Sequence, residues 1–306
     1  MTAEPRHSSA AGDRLYGVLQ HLLPQRLLTA IAYHVTRVRA RPWKDWLIRW
    51  FIGRFGVDMS EALDPDPGAY TDFNAFFTRA LHPGSRPLAG DDDTVVCPAD
   101  GTVSAIGSVR ADTLLQAKGR HYSLRALLGS DDARARPFLD GHFATVYLSP
   151  RDYHRVHMPA SGRLREMIYV PGRLFSVNFT TARAIDALFA RNERLVCLFD
   201  SELGPMALVL VGALNVAGME TVWSGPVTPP HGRRVREWRY DDDSSAVRLA
   251  RGAEMGRFNM GSTVVVVFAN GRVAWRDDLT AASAVRMGEA LGRVPATRRT
   301  GSASEG

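Results

Sequence analysis

Two histidines three positions apart, His154 and His157, are the residues of this sequence best suited to moving protons. They lie in the segment YHRVHMP, residues 153–159. Histidine gains and loses a proton near neutral pH, so either side chain suits general acid–base work. The spacing also suits a metal, but no cysteine cluster or glutamate-containing histidine motif accompanies it, and we predict no metal site. Two surface histidines on a loop that ends at Pro159 are the plain alternative.

A Gly-Ser pair, Gly261–Ser262, stands directly before the apolar run TVVVVF, residues 263–268. Glycine permits a strained backbone, and the serine places a hydroxyl next to the preceding carbonyl. A turn that leads into a core strand explains the same residues, and Gly-Ser-Thr is a common tripeptide. The pair is therefore a candidate reactive site only in combination with other residues.

Asp100 lies in the segment PADG, residues 98–101. Asp-Gly after apolar residues is a hairpin-turn signal, but a rigidly held aspartate also orients the histidine of a Ser-His-Asp triad. Asp100, His157 and Ser262 are thus a candidate triad, although the Gly-x-Ser-x-Gly elbow of the common hydrolases is missing. A serine hydrolase is one interpretation. A basic lipid- or nucleic-acid-binding protein with an inert Ser262 is another.

Short strands between turns must position these residues. Beyond Pro83 the apolar pattern predicts strands at 94–97, 102–106, 143–148, 166–170, 194–199, 206–216, 219–223 and 263–268. Helices are predicted at Asp72–Leu81, which has an aromatic face, and at 182–190. The sequence predicts an α+β fold with a β-rich catalytic domain of mostly antiparallel strands over residues 61–290, followed by a flexible tail at 291–306.

The amino-terminal segment carries the net charge of the whole chain. Residues 1–56 hold nine Arg or Lys residues and three acidic residues, so their balance is +6, which equals the net charge of all 306 residues. Apolar residues recur in this segment at helical spacing. Three stripes result: Leu15, Val18, Leu19, Leu22; then Leu27, Ile31, Val35, Val38; then Trp43, Trp46, Leu47, Trp50, Phe51.

These stripes have two interpretations. Amphipathic helices usually pack their apolar face into a core. Tryptophan together with arginine favours helices that lie in a membrane interface, because indole rings prefer the headgroup level and cations attract anionic lipid. We predict that residues 1–60 form an amphipathic membrane-association segment that contacts the membrane through Trp43, Trp46, Trp50, Phe51 and Arg49. Nucleic-acid binding is disfavoured, because no helix-turn-helix or zinc signature accompanies the charge.

The rest of the composition narrows the location and the redox state. No apolar run of about 18 residues is present, so no transmembrane helix is predicted. No signal peptide is recognisable either, and we expect a peripheral protein on the cytoplasmic face of the cell membrane. Cys97 and Cys197 lie in apolar strand-like runs. They are expected to be buried free thiols, with one disulfide as the alternative.

Several short words occur in one order along the chain. They are FFTR at 76–79, PADG at 98–101, QAKG at 116–119, YHRVHMP at 153–159, YVPG at 169–172, FSVN at 175–178, LFARNER at 188–194, GRF at 256–258 and GST at 261–263. In these words the chain resembles, over most of its length, the bacterial phosphatidylserine decarboxylase family of pyruvoyl-dependent proenzymes. One position departs from the family's usual cleavage word, Leu-Gly-Ser-Thr, because Met260 replaces the leucine. Methionine and leucine are close in volume and polarity, so we expect cleavage to survive.

The resemblance implies that the protein cuts its own chain. Asp100 would orient His157, and His157 would take the proton of Ser262, whose hydroxyl then attacks the Gly261 carbonyl. Cleavage between Gly261 and Ser262 would produce a larger chain, 1–261, and a smaller chain, 262–306, which stay associated. Ser262 would become a pyruvoyl group, the covalent cofactor, at the start of the smaller chain.

The resemblance also implies an activity, the decarboxylation of phosphatidylserine to phosphatidylethanolamine and CO₂ in phospholipid biosynthesis. The pyruvoyl group would form a Schiff base with the substrate amine and act as the electron sink. His154 is the candidate to bind the substrate carboxylate or to donate the returning proton, with His157 as the alternative donor. The implied partners are phosphatidylserine and an anionic membrane surface, not nucleic acid. A homodimer and other amino-phospholipid substrates stay open.

Overall fold

The computed structural model describes residues 10–117, 119–216, 218–242, 246–261 and 263–295, so Ser262 and most of the predicted tail lie outside the described residues. Three helices come first: α1 (Ala10–Leu22), α2 (Gln25–Val35) and α3 (Arg41–Phe55). Pro24 separates α1 from α2, because proline cannot continue a helix. Gly56 ends α3 with a left-handed φ of +68°. The three helices predicted from the three stripes are confirmed.

The later helices are short. They are α4 (Phe73–Phe77), α5 (Leu124–Leu127), α6 (Asp132–Ala135), α7 (Phe179–Ala184) and α8 (Leu188–Arg191). The helix predicted from Asp72 is confirmed, although it ends at Phe77, and Asp72 caps it by accepting from the amide of Ala75 at 2.9 Å. The single helix predicted at 182–190 is wrong. Ala187 has a φ of +51°, which no interior residue of a right-handed helix adopts, and it separates α7 from α8.

Every pairing of two strands that the structure describes is antiparallel. The strands are β1 (Thr94–Val96), β2 (Gly101–Ser108), β3 (Thr113–Ala117), β4 (Arg120–Ser123), β5 (His142–Tyr147), β6 (Arg155–His157), β7 (Gly162–Val170), β8 (Arg194–Ser201), β9 (Gly204–Val211), β10 (Met219–Thr221), β11 (Gly225–Thr228), β12 (Arg236–Arg239), β13 (Arg248–Leu249), β14 (Glu254–Phe258), β15 (Thr263–Phe268), β16 (Ala274–Trp275), β17 (Ala284–Val285) and β18 (Ala290–Arg293). The predicted α+β fold with a mostly antiparallel β-rich domain is confirmed.

A nine-stranded sheet forms the centre of the molecule. Its order is β12-β7-β8-β9-β15-β5-β2-β17, with β13 also paired to β7. A four-stranded sheet, β11-β10-β14-β6, a three-stranded sheet, β1-β18-β16, and the hairpin β3-β4 complete the strands described. Both cysteines are buried and free, as predicted.

Strand β15 lies in the middle of the large sheet. All six of its residues are buried, and it pairs with β9 on one side and with β5 on the other. An apolar run without alternation is typical of a strand that is covered on both faces. The Gly261–Ser262 pair therefore comes directly before the central strand of the core.

Helices α1 and α2 attach to the sheet domain through polar side chains. The side-chain oxygen of Gln20 accepts a hydrogen bond from the amide of Ser176 at 3.1 Å, and that of Gln25 accepts from the amide of Leu174 at 2.9 Å. Both glutamines are buried. The side of each helix that faces the protein is thus polar, which is the reverse of the usual arrangement.

The apolar stripes of α1 and α2 consequently face outwards. Val18 is 58% exposed, Leu22 75%, Leu27 59% and Ile31 52%. The interpretation of these stripes as core is therefore wrong for these two helices, because the docking surface of the sheet domain offers backbone N–H groups that need hydrogen-bond acceptors.

Helix α3 packs differently, through an aromatic cluster. Ile48 and Phe51 are buried, and the ring of Phe51 lies 5.0 Å from that of Phe73 and 5.9 Å from that of Phe77, centroid to centroid. In the part of the chain that the structure describes, no helix combines the length and the apolar character needed to cross a bilayer.

Candidate active site

Gly261 lies in the loop between β14 and β15, which is fixed by a hydrogen bond and has a strained backbone. The side chain of Asn259 is buried and donates to a carboxylate oxygen of Glu220 at 2.7 Å. Met260, the next residue, has a φ of +91°. A side-chain-bearing residue in this left-handed region costs about 1–3 kcal/mol, so the fold stores strain one residue before the Gly261–Ser262 bond.

His154 is fully buried beside Gly261. Its Nδ1 donates to the carbonyl oxygen of Asp152 at 2.7 Å, and its ring lies 4.0 Å from that of Phe77. Because a carbonyl only accepts, the proton of the neutral ring sits on Nδ1 and the lone pair on Nε2. Nε2 has no hydrogen-bond partner within the described residues, and a β-carbon placed on Gly261 would lie 3.9 Å from it.

The charge state of His154 follows from its burial. Loss of solvation lowers the pKa of His154 to about 3, although the hydrogen bond to Asp152 opposes the shift. The ring is therefore neutral at physiological pH in the free protein. An unpaired buried nitrogen costs free energy, and such a group in a native fold is a functional candidate.

His157 is engaged at both ring nitrogens. Its Nδ1 donates to the carbonyl oxygen of Gly252 at 2.9 Å, and its Nε2 accepts from the hydroxyl of Tyr153 at 3.1 Å. Burial lowers the pKa of His157 as well, so this ring is also neutral. Its backbone amide donates to the carbonyl of Pro98 at 2.8 Å, which ties β6 to the PADG turn.

Asp100 is paired with an arginine. Arg86 donates from Nε to Oδ1 at 2.9 Å and from Nη2 to Oδ2 at 2.6 Å, and the amide of Met287 also donates to Oδ1 at 2.9 Å. The same Nη2 of Arg86 donates to Glu61 at 2.7 Å. Asp100 is only 8% exposed, so these bonds hold it rigidly.

Two members of the predicted triad, Asp100 and His157, are thus brought into one region but not joined. No hydrogen bond between Asp100 and His157 occurs in the structure as described. Asp100 lines a cavity of about 410 Å³, and His157 lines a neighbouring one of about 230 Å³. Arg86 and Tyr153 line both cavities. Ser262, the third member, lies outside the described residues, so its distances to the other two are not part of this geometry.

Three residues at this site were missed by sequence reasoning. Tyr153 belongs to the YHRVHMP segment, so its hydroxyl, four positions before His157, could have been predicted from the sequence as a partner of that histidine. Phe77 belongs to the FFTR word, but nothing in the pattern places its ring against His154. Arg86 belongs to none of the words, and its pairing with Asp100 depends on tertiary structure.

The predicted membrane residues divide into two groups. The residues Trp43, Trp46 and Trp50 are 40%, 55% and 49% exposed, and Arg49 is exposed beside them. Phe51 is only 6% exposed and belongs to the aromatic cluster with α4. We therefore leave Phe51 out of the outward face, because the turn of the helix points it into the protein.

Clusters of three or more His, Cys, Asp or Glu side chains that could hold a metal ion are not found among the residues described. The segment from His154 to His157 lies entirely within the described chain.

Comparison with known proteins places this geometry in context. The family model described as "Phosphatidylserine decarboxylase" matches residues 73–293, and a second model, described as "PSD", matches residues 16–56. The phosphatidylserine decarboxylase proenzyme of Pseudomonas entomophila (strain L48) is 57% identical over 285 residues, which cover 93% of this chain and 99% of the relative. That of Pseudomonas aeruginosa (strain LESB58) is 58% identical over 280 residues, 91% of this chain and 96% of the relative.

Proposed function

Because the chain belongs to the phosphatidylserine decarboxylase family, we propose that it converts phosphatidylserine to phosphatidylethanolamine and CO₂ with a pyruvoyl group that it makes from its own Ser262. The observation that carries the proposal is the buried ring of His154, whose Nε2 has no partner among the described residues and lies against Gly261. A proton-transfer group thus stands beside Gly261, the residue on the amino side of the bond that must be cut.

The surroundings of Gly261 suit a carbonyl group at position 262. Thr263, the next residue, is fully buried, and its hydroxyl has no hydrogen-bond partner within the described chain. The hydroxyl of Thr263 can donate to a carbonyl oxygen, whereas the lone pair of His154 Nε2 can accept from a donor such as the substrate's ammonium group, and both atoms are costly to leave unpaired. Once formed there, a pyruvoyl group supplies an electron sink for the electron pair that CO₂ leaves behind.

Self-cleavage is proposed to use Ser262, His157 and Asp100. Nε2 of His157 takes the hydroxyl proton as a bond forms between Ser262 Oγ and the Gly261 carbonyl carbon. The imidazolium then gives this proton to the peptide nitrogen as the C–N bond breaks. Elimination then removes the α-proton of residue 262, and the electron pair of that C–H bond forms a double bond to Cβ as the Cβ–Oγ bond breaks and the Gly261 carboxylate leaves. Water replaces the nitrogen of the resulting dehydroalanine, which releases ammonia and leaves the carbonyl group.

This step requires two exchanges of hydrogen bonds. At Nε2, His157 must give up the Tyr153 hydroxyl. At Nδ1 it must exchange the carbonyl of Gly252 for Asp100, which turns away from Arg86. Both exchanges are local, because Arg86 and Tyr153 line both cavities. The arrangement in the structure is accordingly one in which the proposed triad is not yet assembled.

In decarboxylation, His154 is proposed to move one proton at Nε2. In the complex the substrate carboxylate stabilises the charged ring, so Nε2 accepts a proton from the substrate's ammonium group, which must lose it before its nitrogen attacks a carbonyl. The resulting imidazolium donates a charge-assisted hydrogen bond to the substrate carboxylate. After CO₂ has left, the same nitrogen returns the proton to the α-carbon, because burial disfavours the charged ring.

The intact mass of the purified protein tests this proposal. Under denaturing conditions we expect two polypeptides, 1–261 and 262–306, the smaller one beginning with pyruvoyl in place of serine, together with CO₂ release from phosphatidylserine. Under native conditions the two should co-elute, because β15 of the smaller chain pairs through six residues with β5 and through six with β9. An uncut chain that releases CO₂, or a cut chain that releases none from phosphatidylserine, would contradict the proposal.

The same proposal includes attachment to an anionic membrane as a peripheral protein. It is supported by the outward apolar faces of α1 and α2 and by the exposed indole rings of α3. Of the fifteen large hydrophobic residues that are exposed in the described chain, ten lie between Val18 and Trp50. Soluble proteins rarely expose so concentrated an apolar surface, so this one indicates an interaction with lipid.

Replacing Trp43, Trp46 and Trp50 together by serine should weaken binding to anionic vesicles by about tenfold or more, because three interfacial indole rings are lost. Vesicle flotation measures the effect. Deleting residues 1–56 is a poorer test, since it would also remove the buried ring of Phe51. The matched control replaces three comparably exposed apolar residues outside the helices by serine, namely Leu63, Val222 and Val235. Equal loss in both variants would argue against a membrane face on α3.

A further inference from the structure

A cavity of about 780 Å³ lies where α1 turns into α2 and meets the loop that follows β7. Residues 23–27 line it from the helices, and residues 171–174 line it from the sheet domain, together with Arg191 and Arg233. None of the residues proposed for self-cleavage or decarboxylation lines this cavity. It is therefore separate from the site around Gly261.

The charge of the cavity is of one sign. Arg26, Arg173, Arg191 and Arg233 line it, and no aspartate or glutamate does. All four are exposed, and none of them forms an ion pair within the described chain. The hydrogen bonds of Arg191 are long, 3.5 Å to the carbonyl of Asp186 and 3.4 Å to His21, and its guanidinium carbon lies 5.2 Å from the centroid of the Phe175 ring. A cleft with positive charge and no internal counter-charge concentrates anions.

The cavity also has an apolar rim. Leu23, 37% exposed, and Leu27, 59% exposed, line it from the helical side. This rim continues into the outward apolar faces of α1 and α2, where Leu22 is 75% and Ile31 52% exposed. A ligand that satisfies both halves of the cavity has an anionic head and an apolar body. A soluble phosphate compound would leave the rim without a partner.

We propose that this cavity binds the phosphate of an anionic phospholipid that is not the molecule being decarboxylated. Guanidinium groups pair bidentately with phosphate oxygens, and the leucine rim would lie against the glycerol and upper acyl chains. The bound lipid fixes the orientation of α1 and α2 on the bilayer. This inference rests on the proposed membrane attachment and adds to it a defined site with a defined ligand.

The test compares two doubly neutralised variants of the cleaved enzyme. The cavity variant is Arg26→Gln/Arg173→Gln, and the control is Arg41→Gln/Arg54→Gln, which removes two exposed charges from α3. Both lose the same diffuse attraction to a negative surface. Flotation with phosphatidylcholine vesicles, with and without phosphatidylglycerol, should show binding to the anionic vesicles weakened about tenfold further in the cavity variant than in the control.

Four alternative outcomes would overturn the proposal, and they can be told apart. Equal losses in the two variants mean that only diffuse charge acts. A cavity variant with a raised KM for phosphatidylserine in neutral detergent micelles means that the cavity holds the substrate itself. Inorganic phosphate could also stabilise the unmodified protein more than chloride does at equal ionic strength. If the protein then shows no preference for vesicles that contain phosphatidylglycerol, the cavity binds a soluble ligand. If the unmodified enzyme does not bind anionic vesicles but is cut and releases CO₂, the membrane attachment is refuted and the decarboxylase proposal stands.

Discussion

The Asp100→Asn variant is expected to remain a single uncut chain and to release CO₂ at least about a thousandfold more slowly than the unmodified protein. The physical reason is that a neutral amide cannot stabilise the imidazolium that His157 becomes when it takes the serine proton. Without cutting, no pyruvoyl group forms. Intact mass under denaturing conditions and a CO₂ assay, both at matched expression time, measure the two effects.

This variant also decides between two roles for Asp100. In the structure its carboxylate pairs with Arg86 and accepts from the amide of Met287, which is a sufficient structural role by itself. An asparagine keeps the acceptor for Met287, so the fold should persist, and thermal unfolding checks that it does. Asp58→Asn, in the same cavity, is the matched control and should be cut normally. If the Asp100 variant is cut normally, Asp100 has only the structural role of pairing with Arg86.

The second large effect is expected from His154→Gln. Chain cutting should proceed, because that step is assigned to His157, whereas CO₂ release should fall by about 10²–10⁴-fold, the range typical for loss of a positioned acid–base group. Glutamine fills a similar space but cannot accept and return a proton. Loss of cutting together with loss of activity would refute this division of labour between the two histidines.

His142→Gln is the matched control for that experiment. His142 also has a buried ring nitrogen without a partner in the described chain, but it pairs with Phe268, at the far end of β15 from Gly261. Six residues of strand, roughly 20 Å, separate the two ends. The control should therefore retain both cutting and decarboxylation, and equal loss of activity in both variants would indicate a general effect of disturbing buried histidines.

The pH dependence of stability follows from the same burial. The pKa of His154 is lowered to about 3 in the folded protein, below the value of about 6.5 in the unfolded chain. Below about pH 6.5, His154 therefore binds a proton in the unfolded state but not in the folded state. His154 should thus cost up to about 1.4 kcal/mol of stability per pH unit below that point. Urea midpoints at pH 7 and pH 5.5 should differ less in His154→Gln, and an equal difference would contradict the burial argument.

Much of this protein was predictable because its signals are local. The run TVVVVF predicted β15 as a buried strand, since burial on both faces removes the usual alternation. The three stripes predicted α1, α2 and α3, and the words in one order predicted the family. The split of the helix at 182–190 was not predictable, because a left-handed Ala187 has no signature in an alanine.

By itself, the sequence determined which residues are available for the chemistry: a Gly-Ser pair before the core strand, two histidines three apart and an aspartate in a turn. Only the tertiary structure decided how they meet. It placed His154 against Gly261, paired Asp100 with Arg86, engaged His157 with Tyr153, and turned the apolar faces of α1 and α2 outwards around an arginine-lined cavity. The reason is that burial and hydrogen-bond partners depend on segments that are distant in the chain, while periodicity reports only which residues share a face.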